Sequence, residues 1–228
     1  MRMAPEFRLF CLALRRPQQA EDLAALRREI TAGPDWDRVL EGTRRHRVAS
    51  LLLAGLKACR SPDLPASVIA ELRRRTLAAA THSLAQTREI ARLARLFAHA
   101  GIRVLALKGV VLSAQLYGDP GLRDPRDIDI LVDPEAFSDA EALLVETGYH
   151  RSGPMPSPRQ SAAYRRWIKD VEYLDAASGM RIELHHRLTD NPALALWDLE
   201  QLWRERGELE LVGTVIATLV SNCVGIRY

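Results

Sequence analysis

The fold is decided by one stretch, L-K-G-V-V-L-S-A-Q-L-Y-G-D-P-G-L-R-D-P-R-D-I-D-I-L-V, which runs from Leu107 to Val132. At its end, Asp127–Val132 alternates acids with Ile128, Ile130 and Val132, the pattern of a strand with one face in a core. Period two puts Asp127 and Asp129 on one face, roughly 6.5–7 Å apart along the backbone. Two carboxylates held this way repel and desolvate each other unless a cation sits between them. Hard oxygen donors on neighbouring positions suit Mg²⁺, which commonly binds through one or two carboxylates plus substrate phosphates. A third acid stands in R-I-E-L-H-H (Arg181–His186), where Glu183 alternates with Ile182 and Leu184. If its strand lies beside that of Asp127, three carboxylates converge on one sheet edge. That geometry serves two ions gripping the attacking and leaving oxygens of a phosphoryl transfer.

Lys108-Gly109 falls where a strand, Ile102–Leu107, gives way to a helix, Val110–Tyr117. Glycine lets the backbone approach a ligand closely, and the amides after it form a helix N-terminus, a ready anion site. Lys108 would add a point charge there, and Arg123 a fork for phosphate oxygens; the plainer reading of Lys108 is that it covers the end of the sheet. Asp124 and Asp133 stand beside prolines and read as turn residues. His185 shares the face of Glu183, within reach of a hydrogen bond to it, whereas His186 points the other way and is expected to pack. Trp167 and Tyr173 read as core or edge packing, and Ser113 as an ordinary helix residue.

Working outward, residues 1–100 read as a helical region. Helices are expected over Gln18–Ile30, from Trp36 with Asp35 as cap, over Val48–Leu56, and over Ala66–Ala100, a run without Gly or Pro that Gly101 ends. Residues 101–228 read as a mixed α/β unit. After the central stretch come a helix over Phe137–Thr147 and a loop over Ser152–Pro158. A hairpin of Trp167–Leu174 with Met180–Leu188 follows, then a helix over Leu196–Arg206 and a single strand over Leu209–Ile216.

Composition sets outer bounds. With 228 residues, 47% hydrophobic and 27% charged, the chain can bury a core without staples and is neither wholly disordered nor collagen-like. No apolar run approaches the ~20 residues of a membrane span, and the N-terminus lacks a secretory pattern, so a cytoplasmic protein is expected. Three scattered cysteines imply reduced thiols rather than disulfides or a zinc site. Residues 1–100 carry 18 basic against 10 acidic side chains, the remainder 14 against 19. A basic half could touch nucleic acid, yet Arg44, Arg45 and Arg47, like Arg73, Arg74 and Arg75, read more simply as solvated helix faces, and nucleic-acid binding is not favoured.

These residues resemble the uncharacterised nucleotidyltransferases of bacteria, a branch of the polymerase-beta-like nucleotidyltransferase superfamily. The resemblance covers most of the chain: Trp36–Leu52, the long helix, Leu107–Gly109 with Tyr117, Arg123–Val132, Gly148-Tyr149 and Ile182–His186. It implies an N-terminal helical region followed by a polymerase-beta-like mixed sheet flanked by helices. It also implies that Asp127, Asp129 and Glu183 are metal ligands for two Mg²⁺ ions, with Mn²⁺ an acceptable substitute, and that Glu183 can double as base. Lys108 and Gly109 stand in for the superfamily's Gly-Ser turn at the triphosphate. Two departures are visible. Glu183 stands where the branch often has Asp, and relatives continue with a helical segment beyond the point where S-N-C-V-G-I-R-Y ends this chain, which points to a shortened version. The expected activity is transfer of a nucleoside monophosphate from an NTP, ATP first, to an unidentified acceptor, with release of pyrophosphate. The alternatives are a catalytically silent nucleotide- or partner-binding module, and a toxin–antitoxin component that modifies protein or tRNA.

Overall fold

A computed structural model describes residues 4–16, 18–153, 167–191 and 199–219. Five helices come first: α1 (Pro5–Leu14), α2 (Ala20–Thr31), α3 (Trp36–His46), α4 (Ala49–Cys59) and the 34-residue α5 (Ala66–His99). There follow β1 (Val104–Ala106), α6 (Val110–Tyr117), β2 (Ile128–Val132), α7 (Phe137–Glu146), β3 (His150–Arg151), β4 (Asp170–Leu174), β5 (Arg181–His185), α8 (Leu199–Arg204), β6 (Gly207–Leu211) and β7 (Thr214–Thr218). The protein is thus a mixed α/β chain in which helices precede a seven-stranded sheet. It divides into two compact units, one reaching to Leu84 and including Asp119–Asp124, the other holding Ala85–Gly118 and everything from Pro125 onward.

Two helices of the helical unit, α2 and α3, start with side chains bonded to their first turn. Asp35 accepts the amides of Asp37 and Arg38 at the head of α3, and Gln19 and Asp22 form a reciprocal capping box on α2. Leu9, Leu26, Ile30, Val39, Leu52, Leu56 and Leu72 make its core. The backbones of α1 and α4 approach so closely that a Cβ at Gly55 would lie 2.0 Å from the Ala13 carbonyl oxygen. The α1 helix is not marked by any cap in the sequence: its N-cap position, Ala4, makes no side-chain bond, and Pro5 alone signals its start.

In the second unit the sheet order is β3-β4-β5-β2-β1-β7-β6. The central strand β2 pairs antiparallel with β1 and parallel with β5, and β1 pairs parallel with β7. One face of the sheet packs Ile128, Ile130, Val132, Val171, Tyr173, Ile182 and Leu184 against Ile90, Leu93 and Phe97 of α5, Val110 and Val111 of α6, and Phe137, Ala140 and Leu144 of α7. On the other face Leu105 and Leu131 meet Leu202 of α8 and Leu219. The β4–β5 hairpin forms around Ala176–Gly179 as expected.

Three expectations are corrected. The single strand over Leu209–Ile216 is two strands, β6 and β7, joined at Val212-Gly213. Both turn residues have positive φ, 51° and 66°, the requirement of a tight two-residue hairpin turn. A β-branched valine there hid the turn, because that residue type ordinarily argues for continuing strand. Trp167 is 84% exposed rather than packed, while Tyr173 is wholly buried. Of the arginines read as solvated, Arg75 has a side chain only 24% exposed. The Ser152–Pro158 loop and the C-terminal octapeptide fall largely or wholly outside the described residues.

Val212 is 57% exposed, so its replacement loses little packing. Val212→Asn relieves left-handed strain of about 1 kcal/mol, and thermal melts of the full chain should show a midpoint raised by roughly 2–4 °C. An unchanged or lower midpoint would refute the strain.

Candidate functional site

The site grows from the pairing of β2 with β5. Asp129 stands directly beside Glu183 in that parallel register. Because Ile128, Ile130, Ile182 and Leu184 turn into the core, the alternate residues Asp129, Glu183 and His185 share the opposite face. Among the described residues their donor atoms form a cluster lying within 4.8 Å of one another. Asp129 is 1% exposed, an unusual position for a carboxylate.

Lys108 reaches the same point from β1. The Leu107 amide donates to the Asp129 carbonyl oxygen, which carries the β1–β2 ladder one residue past the strand end. From there the Lys108 ammonium lies 2.9 Å from Asp129 Oδ1 and 3.8 Å from Glu183 Oε2. Gly109 follows with φ 71° and ψ −134°, a conformation that only glycine adopts without strain. A Cβ there would also crowd the Asp127 carbonyl oxygen and Pro125, at 3.4 and 3.5 Å. The glycine therefore has a backbone reason of its own, and it brings the N-terminus of α6 up against the residues leading into β2.

Asp127 precedes the first residue of β2 and is partly exposed. It is not one of the three clustered donors, but its charge acts on both Glu183 and Lys108. Arg123 belongs to the segment Asp119–Asp124, which is part of the helical unit, where its carbonyl oxygen accepts the Ser83 hydroxyl. His186 packs edge-on against Phe137, with ring centroids 5.0 Å apart.

The electrostatics separate the two carboxylates. Burial alone would raise Asp129, but hydrogen bonds with His185, Lys108 and Glu183 outweigh it and hold the group below its ordinary value. Glu183 is pushed up to about 7, first by burial and then by its hydrogen bond to Asp129 and the charges of Asp129 and Asp127, with Lys108 opposing. Lys108 is disfavoured by burial, yet the Asp129 hydrogen bond and the three acids keep it above the usual lysine value. Near neutral pH one proton is thus shared out within the group, and Glu183 is where it resides.

His185 is the residue that simple alternation places here, because it lies two positions beyond Glu183. Its Nε2 is 3.1 Å from Asp129 Oδ1 and 3.4 Å from Glu183 Oε2, and its Nδ1 is 3.4 Å from Asp170 Oδ2. An ionised Asp129 only accepts, so Nε2–H donates to it. Such an imidazole orients a ligating carboxylate.

The residues fit a hard divalent cation. Asp129 Oδ2 is buried and has no hydrogen-bond partner among the described residues, a costly condition for a carboxylate oxygen that a cation would remove. Two carboxylates form the donor set that suits Mg²⁺ or Mn²⁺, and Lys108 already places a single positive charge against them. The donors do not by themselves identify the metal.

The family model described as "Uncharacterised nucleotidyltransferase" matches residues 32–222, a span that contains Lys108, Gly109, Asp127, Asp129, Glu183 and His185. No curated protein matches the chain. Among the described residues no helix is long and apolar enough to cross a membrane.

A cation held by Asp129 and Glu183 would displace the Glu183 proton, so its affinity should rise with pH up to about 7 and level off above. Below that value one displaced proton corresponds to about tenfold weaker binding per pH unit. Mn²⁺ titrations by calorimetry at pH 6 and pH 8, in buffers of different ionisation enthalpy, should show the change and the released proton. Equal affinity at both values would contradict the assignment, and Glu183→Gln should abolish the dependence.

Proposed function

The chain belongs to that family of uncharacterised nucleotidyltransferases, and we propose that its site moves a nucleoside monophosphate from an NTP to an acceptor hydroxyl. In the step an acceptor oxygen forms a bond to the α-phosphorus, the α–β phosphoanhydride breaks, and pyrophosphate leaves. The observation that carries this reading is the pair Asp129 and Glu183 on adjacent strands, with a buried Asp129 oxygen that has no hydrogen-bond partner among the described residues.

Asp129 and Glu183, with Asp127 at the head of the strand, would hold the Mg²⁺ ions, which supply Lewis-acid activation of the acceptor and charge neutralisation on the phosphates. The remaining work falls to the side chains. His185 and Lys108 hold the Asp129 carboxylate ionised and oriented. Glu183, beside Asp129 on the adjacent strand, would also take up the acceptor's hydroxyl proton. Lys108 is half exposed and can exchange a carboxylate oxygen for a phosphate oxygen without losing an anionic partner. The amides opening α6 behind Gly109 present a positive dipole end to the triphosphate. ATP is the first nucleotide to test, and the acceptor is either a small molecule or a macromolecule.

The test uses α-labelled NTPs with Mg²⁺ and cell extract as the source of acceptor, reading label transfer and pyrophosphate release. Asp129→Asn should lower transfer by roughly 100-fold or more, the scale of losing a central electrostatic group. Its melting midpoint should stay within about 4 °C of wild type, because an amide of equal size replaces a charge that was costly to bury. Undiminished transfer by the Asp129→Asn, Glu183→Gln double variant would overturn the reading. Nucleotide binding without any transfer would favour the silent binding module.

A further inference from the structure

The arginines of R-R-H-R and R-R-R are not spent on solvent alone. Arg44 at the end of α3, Arg47 in the α3–α4 link, and Arg74 and Arg75 on α5 line one cavity of about 430 Å³. The start of α4 and Asp124 complete it, and every lining residue belongs to the helical unit. We propose that this cavity binds a small molecule through its phosphate group.

Four observations support a phosphate there. Arg44 pairs with Glu41, and Arg74 and Arg75 share Glu71, whose carboxyl these two arginines pull down to about 2. Arg47 differs. It donates to the Asp124 carbonyl oxygen, and among the described residues no carboxylate pairs with it. Its backbone is left-handed, φ 55° and ψ 44°, which is strained for a residue with a side chain. The α4 helix that opens on the cavity has no side-chain cap, since Val48 occupies the N-cap, so its first-turn amides offer donors and a positive dipole end. Ser50, in that first turn, lines the cavity at 6% exposure, and its hydroxyl makes no hydrogen bond among the described residues.

A planar guanidinium fork, a hydroxyl and helix-end amides together match the oxygens of a phosphate monoester. Asp124 is the acid among the lining residues, and it works against a dense polyanion while leaving room for a single phosphate beside Arg47. The volume lies within the range of small-molecule pockets. None of this depends on the carboxylate site, and neither does the readout.

The test uses the full chain without divalent metal, in phosphate-free buffer, carrying Lys108→Gln, which removes the cation of the other anion-binding turn and leaves Asp129 and Glu183 there to repel phosphate. Inorganic phosphate and ribose 5-phosphate, with ribose as control, are titrated by calorimetry and by thermal shift. Both phosphates should bind and raise the midpoint, and ribose should do neither. Arg47→Gly, which also suits the left-handed backbone, should weaken binding at least tenfold, and Ser50→Ala several-fold. The exposed Arg74→Gln should weaken it as well, should Arg47→Gly fold poorly. Absence of binding, affinity unchanged in both arginine variants, or displacement by a 20-nucleotide RNA far more tightly than by ribose 5-phosphate would each overturn the proposal.

Discussion

One pairing register assembles the acidic cluster of this protein: Asp129 of β2 against Glu183 of β5, on parallel strands. Adjacent strands lie about 4.8 Å apart, so the register alone brings two carboxylates to a distance that a divalent ion can span. Ile128 and Ile130 on one strand and Ile182 and Leu184 on the other enforce it from the opposite face. A slip of one residue would drive these four side chains out of the core and turn both acids into it. The apolar core is therefore what specifies the polar site, and neither can change register without the other.

The arrangement burdens the fold. A carboxylate as buried as Asp129 is destabilising unless paired, and it is paired on one oxygen only, by Lys108 and His185. Burial, the hydrogen bond to Asp129 and then the repulsion of Asp129 and Asp127 together push Glu183 up to about 7. Lys108 answers part of that repulsion from the β1–α6 turn. The turn can place it there because Gly109 adopts a backbone conformation closed to other residues. Stability and reactivity meet in the same three side chains.

Much of this was readable before any coordinates. Val110–Tyr117 is bounded by glycines, and the structure gives the helix those limits. Asp35 announces α3, and the alternation in D-I-D-I-L-V and R-I-E-L-H-H separates the core-facing Ile128, Ile130, Ile182 and Leu184 from Asp129 and Glu183 on the opposite face. What sequence could not supply was which strands are neighbours. The β2–β5 pairing joins residues more than fifty positions apart, and alternation says nothing of partner choice. For the same reason the convergence of Arg44, Arg47, Arg74 and Arg75 was invisible, since each run looks like an ordinary charged helix face by itself. The Val212-Gly213 turn was hidden differently, by a valine in a conformation its side chain disfavours.

The strand order has a consequence for biosynthesis. β1 sits between β2 and β7, and its parallel partner, met at Ala106 and Thr218, arrives over a hundred residues later. During translation β1 and β2 emerge with both outer edges unpaired; that of β2 waits for β5, and that of β1 waits longer, for β7. Closure across so long a loop is slow compared with local helix formation. The sheet can therefore be completed only after the last hairpin is made, whereas the helices ahead of it need only local contacts.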